Sequence, residues 1–444
     1  MTTNLIVARF GGDAAVNAEA VRKSAEIAKA DPARRYIVVS APGSAPGKIG
    51  ITDLLYMLYA NFHNKENYIN TLMDISARYK EIVDGLGIDF DVDAEIAAVK
   101  KNLELGSDVD HIASRGEYII AKIFAKLLGW EFVDASRLIC FKQNGDLDKQ
   151  STFIAAGDTL SKYEHAVIPS FYGAKQNGNI KTFARGDCDT AGAMIACAVK
   201  ADVFEKWSEH DKVYSADPHV IPHPEVVTHI TYNEAVELNY IGIPIIKDED
   251  IFMLNEAGIT MTIRTIDDPD EIGMHITPKL PENISRNVTA CIAGHNKFSV
   301  VRINKYGLNS EADFNEKLFG IFAKHNIACR HYLSGIHKMS IILKSPVFDL
   351  RLPQIINDIK GIVRPDSVKV EKGLSLIAIV AEGMGTEKGV FSQIFMALAT
   401  QNIKVKMIDQ GSDDLNIIIG VLDEDYARAV KALYKGVVLN FKGE

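Results

Sequence analysis

The run Leu5-Ile6-Val7-Ala8 is uninterruptedly apolar, ends in Gly11-Gly12, and is followed by a helical stretch beginning near Ala15. The same phrase returns at Tyr36-Ile37-Val38-Val39-Ser40-Ala41, which runs into a small, Pro/Gly-rich loop at 42–50. A strand with one wet face alternates apolar and polar residues. Continuous apolar strands are buried on both faces, as in a parallel sheet between two helix layers. Further strand candidates at 132–135, 165–170, 203–207 and 260–264 are separated by helical patterns. Residues 1–280 therefore read as a three-layer α/β domain with an open, mostly parallel sheet.

The pattern changes scale near 276–286, where Pro278 and Pro281 interrupt the periodicity. Beyond it the chain reads strand (298–303), helix (313–325), strand (329–332), strand (339–343). From Leu374 it repeats as strand (376–380), helix (388–401), strand (405–409), strand (415–421). Matching phrases, Phe-Ala-Lys-His-Asn-Ile at 322–327 and Leu-Ala-Thr-Gln-Asn-Ile at 398–403, mark an internal duplication of a small βαββ unit. The repeats are assigned to 289–365 and 373–444, with the last segment open as a piece that completes the first. At 444 residues, three domains agree with the usual length of about 150 residues each.

Composition excludes several classes of function. A net charge of -9, with no basic stripe, argues against a nucleic-acid partner. The five cysteines (Cys140, Cys188, Cys197, Cys291, Cys329) are odd in number and contain no C-x-x-C, which disfavours a disulfide framework or a structural zinc site. A reducing, cytoplasmic setting is expected. Residues 1–10 lack the charged start and long apolar core of a signal peptide, and no segment reads as a membrane span.

Several phrases, in order and spacing, carry a resemblance to the aspartate kinases over nearly the whole chain. They are Phe10-Gly11-Gly12, Val39-Ser40-Ala41, Ile51-Thr52-Asp53-Leu54-Leu55, Ser114-Arg115-Gly116-Glu117, Pro169-Ser170-Phe171-Tyr172-Gly173, Arg185-Gly186 with Asp189, and Ala216-Asp217-Pro218. Ser334-Gly335-Ile336 and Met407-Ile408-Asp409-Gln410-Gly411-Ser412 look like the turns of its ACT domains. The resemblance implies an amino-acid kinase domain followed by two ferredoxin-like βαββαβ ACT domains. It further implies transfer of the ATP γ-phosphate to the side-chain carboxylate of aspartate, with Mg²⁺, and a homodimer joined through the ACT domains.

Phosphoryl transfer asks for positioning and charge neutralisation, which backbone N–H groups, a cation and Mg²⁺ supply. Gly11 and Gly12 at a strand-to-helix turn suit phosphate approach, or form a plain tight turn. By resemblance, Arg9 and Asp189 are the catalytic pair, Arg185 clamps the acceptor's α-carboxylate, Glu117 and Asp189 hold its ammonium, and Ser40 and Thr52 add hydroxyls. Ser208, Glu209, Tyr214 and Asp217 join Arg9, Gly11 and Gly12 on the nucleotide side. Ser114 and Glu117 also fit a capping box for the helix that follows, and Thr52 and Asp53 fit a helix cap. No protein metal-ligand set is expected.

The donor side departs from the family. Arg9 stands for Lys, Asp13-Ala14 for a hydroxyl pair, Asp187-Cys188 for Gly-Ser, and Pro244 for an adenine-side lysine. The glycine of a Trp-Thr-Asp-Val-Asp-Gly-Val-Tyr phrase is absent from 207–214. Two readings follow: an active kinase with a re-tuned site, Mg²⁺ bridging Asp13 or Asp187 to phosphates, or a non-catalytic amino-acid sensor. In the regulatory pair, Ser334 and His337 are the effector candidates. His337 and Lys338 stand where relatives carry an Asp, so a weak response to lysine is expected.

Overall fold

The structure, a computed structural model, describes residues 4–64, 67–184, 186–208, 212–281, 291–329, 331–382, 384, 388–411 and 414–439. It resolves into two compact units. One comprises Met1–Val213, Thr228–Val236 and Ile245–Pro281, the other Tyr214–Val227, Glu237–Pro244 and the chain from Glu282 onward.

The first unit is built on an eight-stranded sheet in the order Glu131–Phe132, Ala166–Pro169, Arg34–Val39, Ile6–Phe10, Val203–Ser208, Thr260–Thr265, Met274–Thr277, His229–Thr231. Every neighbouring pair is parallel except Thr260–Thr265 with Met274–Thr277. Strand parity sorts the two faces. Ala8, Phe10, Ile37, Val39 and Trp207 share one core cluster with the helices Ala18–Ala30 and Arg115–Leu128. Val7, Arg9, Phe204 and Lys206 project the other way, toward the helix Cys188–Ala198. A Cβ on its Gly192 would sit 2.7 Å from the Phe204 ring and 3.3 Å from Arg9 Cβ. Glycine there lets the helix lie close on the sheet.

The glycine turn works by close approach. Gly12 has ordinary right-handed φ, but a Cβ on it would lie 2.9 Å from the Ala41 carbonyl. The helix expected from Ala15 starts later. A 3₁₀ turn, Asp13–Ala15, comes first, and Asn17 then caps Ala18–Ala30 by accepting from Ala20 N at 2.9 Å. The helix N-terminus expected beside the glycines is thus displaced from them by several residues.

The second unit carries a six-stranded antiparallel sheet in the order His331–Ser334, Lys338–Lys344, Cys291–Asn304, Ser367–Val380, Asn416–Leu422, Met407–Gln410. Two strands of 14 residues each pair with one another and run through both repeats. Residues 298–304 begin the first repeat, which 367–372 closes; 374–380 begin the second. The second is closed by 291–295, which lie ahead of the first in sequence. The last segment enters the second core, not the first: Leu433, Tyr434 and Val437 pack with Ile292, Ile377 and Ile419. Periodicity hid this because Gly294 to Lys297 break the long strand into what reads as a short run and a loop.

Candidate active site

The carboxyl ends of the central parallel strands gather the polar groups. Arg9 and Lys206 are register partners on adjacent strands, so their side chains rise side by side from the same face. Both reach Asp189 in the first turn of Cys188–Ala198: Arg9 Nε lies 3.0 Å from Oδ1 and Lys206 Nζ 3.6 Å from Oδ2. Lys206 Nζ also donates to the Ile245 carbonyl at 3.2 Å. The cluster stands at the carboxyl ends of the strands, the place where open α/β sheets bind ligands.

Beside this cluster, Arg9 Nη2 donates to Ser40 Oγ at 3.4 Å, and Ser40 Oγ lies 3.1 Å from Ser170 Oγ. Both serines are buried. The Cys188 thiol is pushed up by burial, an effect the Arg9 charge and the hydroxyls of Ser40 and Ser170 oppose and Glu117 reinforces.

Glu117 sits on the third residue of Arg115–Leu128 and is 2% exposed. Its Oε1 accepts from Thr52 Oγ1 at 3.4 Å, while Oε2 is buried without a hydrogen bond. Burial pushes its carboxyl up to about 8, against the opposing pull of its own and the Ala41 backbone N–H groups, Thr52 and Arg115. The capping-box alternative is not what forms. Ser114 ends the helix Val109–Ala113 as well as preceding Arg115–Leu128, so its backbone is helical and its hydroxyl donates to the His111 carbonyl at 2.7 Å. Thr52 does not cap its helix either, since Gly50 occupies the N-cap of Ile51–His63. Neither Thr52 nor Glu117 is thereby spent on a cap.

On the donor side, Asp13 Oδ1 accepts from Ala14 N at 2.9 Å and lies 2.3 Å from where a Gly11 Cβ would be. Ser208 ends its strand, buried, with its Oγ making no hydrogen bond. Asp187 is ion-paired to Lys247. Asp250 is buried, accepts from Thr190 Oγ1 at 2.9 Å, and is pushed up to about 7, chiefly by burial.

Of the expected site residues, Arg9, Gly11, Gly12, Ser40, Thr52, Glu117, Asp189 and Ser208 all fall in the first unit. Arg185 and Glu209 lie outside the described residues. Tyr214 and Asp217 belong to the second unit. There Tyr214 bridges Val226, its carbonyl accepts from Cys291 Sγ at 3.2 Å, and the Asp217 carboxylate accepts from His219 N at 2.8 Å. Ser334 ends its strand, exposed, and the His337 ring stacks on Tyr306 at 4.9 Å while accepting from Gly307 N at 3.2 Å.

Sequence reasoning missed Lys206, Ser170, Lys247 and Asp250 as members of the site. Lys206 carried a signal: a lysine at mid-strand in the otherwise buried run 203–208, at the parity of Arg9.

A family model described as the amino acid kinase family matches residues 4–265, and one described as an ACT domain matches 377–436. The first unit, a mostly parallel sheet between helix layers, is thus that of an amino acid kinase. Among solved structures, the allosteric aspartate kinase of Clostridium acetobutylicum is 35% identical with a TM-score of 0.91, over 98% of this chain and 100% of that one. Aspartokinase 3 of Bacillus subtilis is 28% identical over 445 residues, 97% of this chain and 98% of that protein. E. coli aspartokinase III, crystallised with aspartate and ADP, shares the fold with a TM-score of 0.71 at 20% identity, over 98% of this chain and 100% of that one. This chain belongs to the aspartate kinase family.

Proposed function

We propose that the chain transfers the γ-phosphoryl group of ATP to the side-chain carboxylate of L-aspartate, giving 4-phospho-L-aspartate and ADP. The observation that carries this reading is the Arg9–Asp189–Lys206 cluster at the strand ends, in the same unit as the buried, half-satisfied Glu117. A carboxylate oxygen attacks the γ-phosphorus as the bond to the β-phosphate oxygen breaks. The nucleophile is already anionic, so no base is required. The difficulty is bringing a carboxylate to a triphosphate, and fixed cations answer it. Arg9 and Lys206 would lie along the transferring group, with Asp189 holding both in place. Asp189, expected to hold the acceptor's ammonium with Glu117, is engaged by Arg9 and Lys206 instead, so Glu117 would take the α-ammonium with the Thr52 hydroxyl, and Arg185 the α-carboxylate.

Among the described residues no group of three or more His, Cys, Asp or Glu side chains is placed to hold a metal. Mg²⁺ carried in on phosphates needs only one or two protein carboxylates; Asp13, beside Gly11 at the glycine turn, would be one. When bound, the ion neutralises phosphate oxygens. The extra anion at Asp187 is offset by Lys247, which supports the active reading over the non-catalytic sensor. In the same reading the protein is cytoplasmic and pairs through its ACT domains. Nucleotide contacts by Tyr214 and Asp217, and effector contacts by Ser334 and His337, belong to it as well.

Calorimetric titration of Mg-ATP and of L-aspartate, separately, tests the proposal. Both are expected to bind. Aspartate binding with nucleotide silence would select the sensor instead.

A further inference from the structure

Two serines meet where adjacent strands of the first unit end. Ser40 follows Arg34–Val39 and Ser170 follows Ala166–Pro169. The ladder carries on through both, Ser40 N donating to the Phe10 carbonyl at 3.1 Å and Ser170 N to the Val39 carbonyl at 2.9 Å. Beyond Ser170 the chain turns abruptly: Tyr172 N donates back to the Ser170 carbonyl at 3.0 Å, and Phe171 between them takes a φ of +77°. Only glycine adopts that backbone freely, and strain of this kind gathers at functional sites. The surroundings hold it in place. Phe171 is buried, its carbonyl accepts from Phe183 N at 2.7 Å, and the Tyr172 hydroxyl donates to Asp134 Oδ1 at 3.0 Å.

The hydrogen bonds at this turn have a direction. Arg9 Nη2 donates to Ser40 Oγ at 3.4 Å, and Ser40 Oγ lies 3.1 Å from Ser170 Oγ. A guanidinium only donates, so Ser40 meets it with its oxygen and turns its proton away from the cation, toward Ser170. Ser170 then has a proton of its own to give, at the end of a chain polarised by a fixed charge. Beside the pair stands Cys188, whose thiol burial pushes up and both hydroxyls draw down. Sulfur is a weak acceptor, so an anionic oxygen readily takes its place.

Glu117 decides which oxygen comes there. Its carboxyl accepts from the N–H of Ala41, the residue after Ser40, so an ammonium at Glu117 lies close to the serine pair, to which Arg9 is also bonded. An acceptor held by its ammonium at Glu117 and reaching toward Arg9 carries a carboxylate past the two hydroxyls. A hydrogen bond to such an ionised oxygen is roughly twice as strong as one between neutral groups. The family pattern has its hydroxyl at position 188, where this chain has cysteine. The hydroxyl lost there is present across the same contact, on Ser170.

Resting on the kinase reading above, we propose that Ser170 is an acceptor-binding residue whose hydroxyl donates to a carboxylate oxygen of bound L-aspartate, replacing the hydroxyl absent at position 188. Arg9 polarises that hydroxyl through Ser40, and the strained turn at Phe171 ends the strand where the two serines meet.

The test is calorimetric titration of L-aspartate, and separately of Mg-ATP, into the full chain and its variants Ser170→Ala, Cys188→Ser and the two combined. Ser170→Ala should bind aspartate about tenfold to a hundredfold more weakly, the range for one hydrogen bond to a charged group, while Mg-ATP affinity holds within about threefold. Cys188→Ser should recover most of that loss in the Ser170→Ala background and add little to the parent. A merely structural role for Ser170 gives no such coupling. The proposal is overturned if Ser170→Ala binds aspartate as the parent does, if Cys188→Ser recovers nothing, if the affinities for aspartate and Mg-ATP fall together, or if the parent binds no aspartate. Binding is read without turnover, so a chain that takes up aspartate in this pattern but transfers no phosphate would defeat the kinase reading alone.

Discussion

A carboxyl standing at about 8 is mostly protonated at neutral pH, so an ammonium that binds Glu117 must displace its proton. Aspartate affinity should then rise about tenfold per pH unit below about 8 and level off above it. Titrations across that range check this, and Glu117→Gln should bind weakly at every pH. The same group affects folding. Its folded pKa lies above the ordinary 4.5, so the native chain holds an extra proton, and stability falls as pH rises from about 4.5 through 8. Asp250 acts likewise between 3.8 and about 7. Urea unfolding at pH 8 should find Asp250→Asn more stable than the parent by on the order of 2–4 kcal/mol, with the gain vanishing near pH 4. Lys247 supplies a third residue-scale expectation. Lys247→Ala should weaken Mg-ATP about tenfold by leaving Asp187 unbalanced, and adding Asp187→Gly should recover most of the loss, as a double-mutant cycle would show. Arg9, Ser40, Thr52, Glu117 and Asp189 were named from the family resemblance, and all five fall in the first unit. Lys206, Lys247 and Asp250 were not, since only pairing of distant segments brings them to Asp187 and Asp189.

At the scale of elements, the central strands carry a buried ionic cluster. Arg34 Nε lies 2.7 Å from Glu205 Oε2, which also accepts from Trp207 Nε1 at 2.8 Å, and the guanidinium groups of Arg34 and Arg264 lie over the Trp207 ring. Glu205 is 3% exposed. Replacing it with leucine strands buried arginine, and a loss of about 3–5 kcal/mol in denaturant unfolding is expected. Two central strands were read closely, since 203–207 and 260–264 differ from the observed Val203–Ser208 and Thr260–Thr265 by one residue, whereas the strand expected at 132–135 is only Glu131–Phe132, because Asp134 caps a 3₁₀ turn at Ala135–Arg137. Helix ends were read less well. Ser114 looks like a cap in sequence, but a short helix runs straight into it and commits its hydroxyl backwards. A local motif cannot show what the preceding element has already used.

For the whole molecule, alternation of buried strands and helices, and a repeat at smaller scale, were sufficient to give the fold class. The closure of the second repeat by 291–295 was not readable, because that pairing spans the entire first repeat and is fixed by the sheet rather than by local pattern. In the proposed reading the strand-end cluster and Glu117 together make an active aspartate kinase. Its most direct test is aspartate-dependent release of ADP from Mg-ATP, with the acyl phosphate trapped by hydroxylamine. One hydroxamate per ADP is expected with aspartate and little with glutamate, and Arg9→Met should lower kcat at least about a hundredfold, roughly the 2.7 kcal/mol of one lost transition-state contact. Aspartate binding without any hydroxamate, in a folded chain, would contradict it.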